Sequence, residues 1–117
     1  MNRLIILNIF AILLIKFNNN KDYMTKAELV SLIAQKTGVE KSTVMTIFET
    51  SMEEIKLAIK ENESVFLRGF GTFKAKKRAE KTGRNIKKNI AVKIPAHYTP
   101  SFKPSKSFVN EVKNNVK

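Results

Sequence analysis

A fourteen-residue stretch at positions 76–89, KKRAEKTGRNIKKN, restricts most strongly how this chain can fold. Seven of these residues are Lys or Arg, and Glu80 is the one acidic residue among them. Ile86 is the one apolar side chain larger than Ala, so the stretch cannot contribute to a hydrophobic core. The fold must therefore leave this stretch in solvent or against an anionic partner.

The residues around this stretch alternate between apolar and polar side chains, which predicts a β-ribbon that leaves the body. The outgoing strand covers residues 73–80 and the return strand covers 90–94, ending at Pro95. Residues 84–89 form a polar tip between them, and Thr82-Gly83 is expected to mark a bend. Because isolated ribbons are marginally stable in water, we expect an anionic partner to brace this one.

The charge of the chain is concentrated in its second half. Net charge is +2 over residues 1–23, −2 over 24–65 and +12 over 66–117, which gives the +12 of the whole chain. Such a basic region favours nucleic acid first and an anionic membrane second. The absence of Cys and the presence of a single His, His97, argue against a disulfide or a zinc site. We expect no metal, no cofactor and no enzymatic activity.

The first 23 residues form an apolar extension, with an apolar run from Leu4 to Ile15 that Asn8 interrupts. This run is shorter than the roughly 20 residues that span a bilayer. It is open to three interpretations: a signal or membrane anchor, a natural appendage, or untranslated sequence joined by a wrong start. We favour the third, because a self-sufficient domain begins at Met24, and we exclude residues 1–23 from fold reasoning.

Three helices are expected in the rest of the chain. Thr25 and Glu28 form a capping box for the first helix, and Gly38 fits the position after its last turn. A second helix begins near residues 40–42 and ends by Asn62, since its apolar residues recur with a 3.6-residue period. The two helices form a hairpin. A third helix follows at the C-terminus, with Pro104 in its first turn and an apolar face made by Phe108, Val109, Val112 and Val116.

The body without the ribbon is small. Residues 24–72 and 95–117 comprise 72 residues. A body below about 80 residues seldom supplies more than ~3–5 kcal/mol of stability without disulfides, a structural metal or oligomerisation. Oligomerisation remains as the source of stability once disulfides and metals are set aside. We therefore predict a dimer with a shared aromatic core that contains Phe48, Phe66, Phe70, Phe73, Phe102 and Phe108.

Four motifs in succession carry a resemblance to a known family: LRGFGTF (67–73), TGRN (82–85), KIPA (93–96) and SFKPSK (101–106). In this order, after two helices, they resemble the bacterial HU/IHF family of histone-like DNA-binding proteins. The resemblance extends from residue 24 to about 117. It implies an α+β fold: a helical hairpin body, a three-stranded antiparallel sheet with an extended β-ribbon arm at about 74–94, and a C-terminal helix.

The resemblance also implies a function. Members form intertwined homodimers or heterodimers, and their two arms embrace double-stranded DNA through its minor groove. We therefore expect a cytoplasmic, nucleoid-associated protein that bends and compacts DNA and prefers bent, nicked or junction DNA. A membrane is not expected as a partner.

The predicted DNA-binding residues come from the charge pattern and from the resemblance. Arg84 and Asn85 match minor-groove readers, and Ile86 replaces the usual arm-tip proline as an apolar wedge. Asn89 then takes the place of the usual turn glycine, because Asn tolerates the left-handed conformation. The predicted phosphate contacts are the arm residues Lys74, Lys76, Arg78, Lys81, Lys87, Lys88 and Lys93, together with Lys103, Lys106 and Lys26 on the body.

Other functions remain open. IHF-like, site-specific DNA bending is the main alternative, although no base-reading signature is visible. A basic RNA-binding protein would suit the charge of the arm equally well. Single-strand readers, however, usually expose stacking aromatics, and residues 74–93 contain none. A membrane-associated interaction protein, anchored by residues 4–15, is a third possibility.

Overall fold

The computed structural model describes residues 22–116, so all but two residues of the apolar extension lie outside the described residues. The described chain is an α+β protein, as the sequence predicts. It divides into two compact units, with the boundary inside the second helix, after Glu53. The helices are α1 (Lys26–Thr37), α2 (Lys41–Lys60) and α3 (Lys106–Asn115), and the strands are β1 (Val65–Leu67), β2 (Gly71–Arg78), β3 (Lys81–Asn85), β4 (Ile90–Ile94) and β5 (His97–Pro104).

Local hydrogen bonds fix both ends of α1, which confirms the predicted caps. The Glu28 amide donates to Thr25 Oγ1 at 3.2 Å, and the Thr25 amide donates to Glu28 Oε2 at 3.3 Å. This pair is a capping box. At the other end Gly38 takes a left-handed φ of 74°, and its amide donates to the Ala34 carbonyl at 2.9 Å. A residue with a Cβ would be strained at this φ.

The buried core of the single chain is very small. Val30, Leu32 and Val44, all in the first unit, are the only buried large apolar side chains among residues 22–116. An apolar groove between α1 and α2 remains open, and Ile47 on its wall is 60% exposed. The helical hairpin therefore forms as predicted, but one chain covers little of its apolar surface.

The second unit contains a three-stranded antiparallel sheet in the order β1-β2-β5 and a separate β3-β4 hairpin. Gly71 begins β2 where Phe102 of β5 approaches the backbone most closely. A Cβ at Gly71 would lie 2.5 Å from the Phe102 ring and 2.6 Å from the Lys103 carbonyl oxygen. The second glycine of the GFG motif is thus required by packing, whereas Gly69 has a positive φ of 80°.

Four of the predicted core rings pack together in the second unit. Phe70 lies 5.2 Å from Phe102 and stacks on Phe108 at 5.5 Å, and Phe73 lies 4.7 Å from Phe102 (centroid distances). The cluster is still open, because Phe70 is 46% exposed and Phe102 37% exposed. Phe66 lies outside these ring contacts and is 72% exposed. The single chain therefore assembles most of the predicted aromatic core without closing it.

The pairing of the ribbon differs from the prediction. Strand β2 pairs with β5 over residues 97–104, and the predicted return strand β4 pairs with β3. The ribbon is therefore longer than residues 74–94 alone provide. The prediction was wrong because alternation reveals a strand but does not identify its partner, which is set by contacts distant in sequence.

Two glycine and proline assignments also need correction. Gly83 does not mark a bend: it lies inside β3 opposite Val92, because the β-favouring residues Ile90, Val92 and Ile94 supply a partner strand. Pro104 does not open the C-terminal helix; it is the last residue of β5. At a strand end, the backbone N–H that proline lacks costs the sheet few inter-strand hydrogen bonds. The N-cap of α3 is Ser105, whose hydroxyl accepts from the Phe108 amide at 3.2 Å.

Gly71→Ala should destabilise the protein by about 1–3 kcal/mol, because the new methyl group would overlap the Phe102 ring and a backbone carbonyl. Gly83→Ala is the matched control. Its Cβ would meet Ile94 at an ordinary 3.5 Å, so the expected change is within about 1 kcal/mol and can be stabilising. Urea unfolding of both variants at one protein concentration measures the difference. Equal stability of the two variants would contradict the close approach at Gly71.

Candidate nucleic-acid interface

The paired strands β2 and β5 place most of their cations on one face and their phenylalanines on the other. Neighbouring residues of a strand point to opposite faces, so Lys74, Lys76 and Arg78 share one face of β2. Their cross-strand partners are Ser101, Thr99 and His97. None of these partners is acidic. This cationic face is a surface suited to phosphate groups.

The opposite face of the same pair carries Phe73 and Phe102, which are directly paired. Further along, Lys77 pairs with Tyr98 on this face. The aromatic cluster thus occupies one face of the ribbon at its base. The predicted phosphate contacts Lys74, Lys76 and Arg78 all lie on the other face. Lys103, paired with Thr72, lies on that cationic face as well.

The β3-β4 hairpin divides the remaining arm residues between its two faces. Arg84 lies opposite Ala91 and Lys93 opposite Thr82, so these two cations share a face. Lys81 pairs with Ile94 and therefore lies on the other face, in line with Val92 and Ile90. The structure thus brings Arg84 and Lys93 together and separates Lys81 from them.

Two of the predicted lysines have acidic partners. Lys93 Nζ lies 2.9 Å from Glu80 Oε1, and Lys26 Nζ lies 2.9 Å from Glu49 Oε1. Both pairs are exposed to solvent, so each contributes only about 0–1 kcal/mol. The other predicted cations form no ion pair with any described residue.

The tip is a four-residue turn, shorter than the predicted 84–89 because Arg84 and Asn85 belong to β3. Ile86 is 91% exposed, the highest value among the large apolar side chains of residues 22–116. Asn89 has a φ of 50°, which confirms the predicted left-handed residue. Asn85 was predicted as a groove reader, but its side-chain oxygen accepts from the Lys87 amide at 3.1 Å and the Lys88 amide at 3.3 Å.

The start of α3 holds the last predicted contact. Lys106 is the first residue of the helix, directly after the N-cap Ser105, and its side chain is exposed. Helix N-termini attract anions, and Lys106 adds a full positive charge there. The predicted flank therefore consists of Lys106 at the helix start and Lys103 on the adjoining strand.

Two residues that the sequence prediction omitted are placed on the ribbon. Tyr98 is 61% exposed and lies on β5 opposite Lys77, also exposed. The ribbon therefore does carry an exposed aromatic residue. Sequence reasoning missed Tyr98 because it took the ribbon to end at Pro95. The β-favouring Tyr98-Thr99 pair was the available signal for a further strand.

Comparisons with known proteins agree with this geometry. A family model described as "Bacterial DNA-binding protein" matches residues 24–113. This chain belongs to that family. The SPbeta prophage-derived DNA-binding protein HU 2 of Bacillus subtilis is 39% identical over 90 residues, which are 77% of this chain and 98% of the relative. Integration host factor subunit beta of Marinobacter nauticus is 38% identical over 95 residues, covering 80% of this chain and 97% of that protein.

Solved structures of HU proteins have the same fold. An Anabaena HU–DNA cocrystal structure superposes with a TM-score of 0.72 at 34% identity, covering 80% of this chain and all of that one. HU from Thermotoga maritima gives a TM-score of 0.54 at 29% identity, with 76% of this chain and 98% of that chain covered. The fold of this chain, with its antiparallel ribbon, therefore agrees with its membership of the bacterial DNA-binding protein family.

In residues 22–116, no helix has both the length and the apolar character needed to cross a bilayer. Over the same residues, no group of three or more His, Cys, Asp or Glu side chains is placed to hold a metal ion.

Glu80→Gln should strengthen DNA binding, because it frees Lys93 from its carboxylate partner and removes a charge that repels phosphate. If Lys93 then gains one phosphate contact, the plot of log affinity against log salt should steepen by about 0.9 for each arm. Titration of a fluorescent duplex at several salt concentrations measures both quantities.

Glu63→Gln is the matched control, since it makes the same change in net charge outside the ribbon. It should leave the salt slope unchanged. An equal gain in both variants would show that overall charge, and not the release of Lys93, determines the effect.

Proposed function

We propose that this chain is an architectural DNA-binding protein that binds and bends double-stranded DNA largely without sequence specificity. The observation that carries the proposal is the ribbon itself. Lys74, Lys76 and Arg78 line one face, and the ribbon ends in the exposed Ile86. The cations on this face can bind DNA phosphates, and the exposed apolar tip can insert between bases. The similarity to the Anabaena HU found in complex with DNA supports this assignment.

The active form in this proposal is an intertwined dimer, either of two copies or with a related chain. Three buried apolar side chains are too few to stabilise a domain of this size. The second unit adds an open apolar groove lined by Phe102, Phe108 and Val112. A second chain that closes this groove would complete the aromatic cluster and would also supply a second arm. DNA could then be held from two sides.

Stability should depend on protein concentration if the dimer is obligate. Raising the concentration tenfold is expected to raise the melting temperature, and sedimentation at micromolar concentration should show two chains per particle. A folded, compact monomer at that concentration, with a melting temperature independent of dilution, would rule out the shared core.

The proposed domain comprises residues 24–117, with the arm at about 74–94 extended by its pairing to β5. Both arms would lie along the minor groove, with Arg84 close to the groove floor and Ile86 between base pairs. Lys103 and Lys106 would hold phosphates on the flank of the body. A protein of this kind would compact the nucleoid in the cytoplasm. Lys26 is the weakest candidate because Glu49 already pairs with it.

Two alternatives are supported by specific observations. Similarity to an integration host factor subunit, at 38% identity, favours site-specific bending as the second candidate. The exposed Tyr98 on the ribbon favours binding of single-stranded nucleic acid, where aromatic side chains stack on bases. Competition of duplex DNA of mixed sequence against single-stranded RNA and DNA of equal length distinguishes all three, since only the proposed function favours duplexes regardless of sequence.

Ile86→Ala should reduce DNA bending while leaving the salt dependence unchanged, because it shrinks the wedge and keeps every charge. Unstacking a base step costs about a few kcal/mol, which the wedge must offset. Arg84→Ala should instead lower affinity and make the salt slope shallower. Energy transfer between dyes at the duplex ends measures the bend, and titration at 50 and 200 mM salt measures the slope.

The salt dependence of DNA affinity in the unsubstituted protein, the parent, is the reference for this comparison. With about 6–10 phosphates neutralised, its affinity should fall roughly 10³–10⁵-fold over that salt range. Nicked duplex should bind more tightly than intact duplex, since part of the unstacking cost is already met. Should Ile86→Ala bend DNA as well as the parent, bending must come from wrapping by charge alone.

A further inference from the structure

The turn at the tip of the arm is formed without glycine or proline. Residues 86–89 read IKKN and contain neither Gly nor Pro. Two consecutive lysines also repel each other there. Some other interaction must therefore hold the chain in a tight reversal between β3 and β4, which pair as far as Asn85 and Ile90.

Hydrogen bonds from one side chain supply that interaction. Asn85 Oδ1 accepts from the amides of both Lys87 and Lys88, at 3.1 and 3.3 Å. An Asn side chain that accepts from the amide two residues ahead forms an Asx turn, which replaces a backbone turn bond. Asn89 then closes the reversal with its φ of 50°, a conformation that Asn tolerates better than most residues.

This arrangement determines where Ile86 lies. The two amides that bond to Asn85 follow Ile86 directly, so residues 85–88 curl around the Asn85 side chain. Ile86 is left on the outside of the curl, 91% exposed. Exposure of this apolar side chain to water is unfavourable, yet no residue among 22–116 covers the side chain. The Asx turn holds it in this position before any DNA is present.

We infer that Asn85 is a positioning residue, whose side-chain oxygen pre-forms the tip turn and thereby presents Ile86 for insertion. This inference rests on the proposed function and assigns Asn85 a role different from that of a groove reader. A groove reader would use the side-chain NH₂ group as a donor, whereas the turn uses the oxygen as an acceptor. The two roles therefore predict different results for Asn85→Asp, which keeps an acceptor and loses the donor.

The first test uses the free protein. Amide exchange with water, measured by NMR, should be slower at Lys87 and Lys88 than at Ile86, whose amide does not bond to Asn85. In Asn85→Ala both lysine amides should exchange about two- to ten-fold faster, which corresponds to a single solvent-exposed hydrogen bond. In Asn85→Asp they should remain protected. Asn114→Ala, at an exposed position of α3, is the control and should change neither amide.

The second test measures the bend in saturated complexes, so that altered affinity does not enter. Asn85→Ala should lose bending to about the level of Ile86→Ala, and Asn85→Asp should retain it, even though its added charge weakens binding. Retention of the bend by the acceptor-bearing variant is the result that a general loss of arm structure would not give.

Three outcomes would overturn the inference. One is equal exchange of the Ile86, Lys87 and Lys88 amides in the parent. Another is an Asn85→Asp variant that behaves like Asn85→Ala in the free protein. The third is an Asn85→Asp variant with protected amides but no bending, which would show that the NH₂ group contacts DNA. Failure of the wedge itself is seen separately, since Ile86→Ala would then bend like the parent while the exchange results stand.

Discussion

Eight consecutive residue pairs between β2 and β5 hold the candidate DNA-binding surface of this chain in place. They set Lys74, Lys76 and Arg78 on one face and direct Phe73 and Phe102 to the other. The same register continues into the arm: Arg78 pairs with His97 and Lys81 with Ile94, three positions further on both strands. The interruption between them therefore contains no bulge, because neither strand has an extra residue. Pro95 accounts for the interruption, since it has no amide to donate to the ladder.

In the proposed dimer, the aromatic cluster that a second chain would cover and the cationic face lie on opposite sides of this ribbon. Few apolar groups are buried within one chain, while Phe70 and Phe102 form a cluster that remains open. Closing that cluster with a second chain would stabilise the body without covering the cationic face. Stability and DNA binding can then be altered separately, as long as substitutions stay on one side of the sheet.

The turn at the tip of the arm forms without glycine or proline. Asn85 and Asn89 together make the reversal that glycine or proline would otherwise make, one through its side-chain oxygen and the other through its left-handed backbone. The three positions between them are therefore occupied by the apolar Ile86 and by Lys87 and Lys88, which add positive charge at the tip. The acidic Glu80 lies further back along the arm and pairs with Lys93, so the tip itself carries only positive charge.

The sequence by itself determined the features that depend on near neighbours. Helix α1 follows from the capping box at Thr25 and the glycine at position 38, and the left-handed Asn89 was expected because the resemblance places it at the family's usual turn glycine. The excess of positive charge after residue 65 follows from composition alone. Only the tertiary structure decided which strand pairs with β2, and with it which side chains of different strands share a face. Lys93 of β4 comes to share a face with Arg84 of β3, and Tyr98 joins the ribbon, because strand partners are chosen by packing between residues far apart in the chain, and a local pattern of alternation is the same whichever partner is chosen.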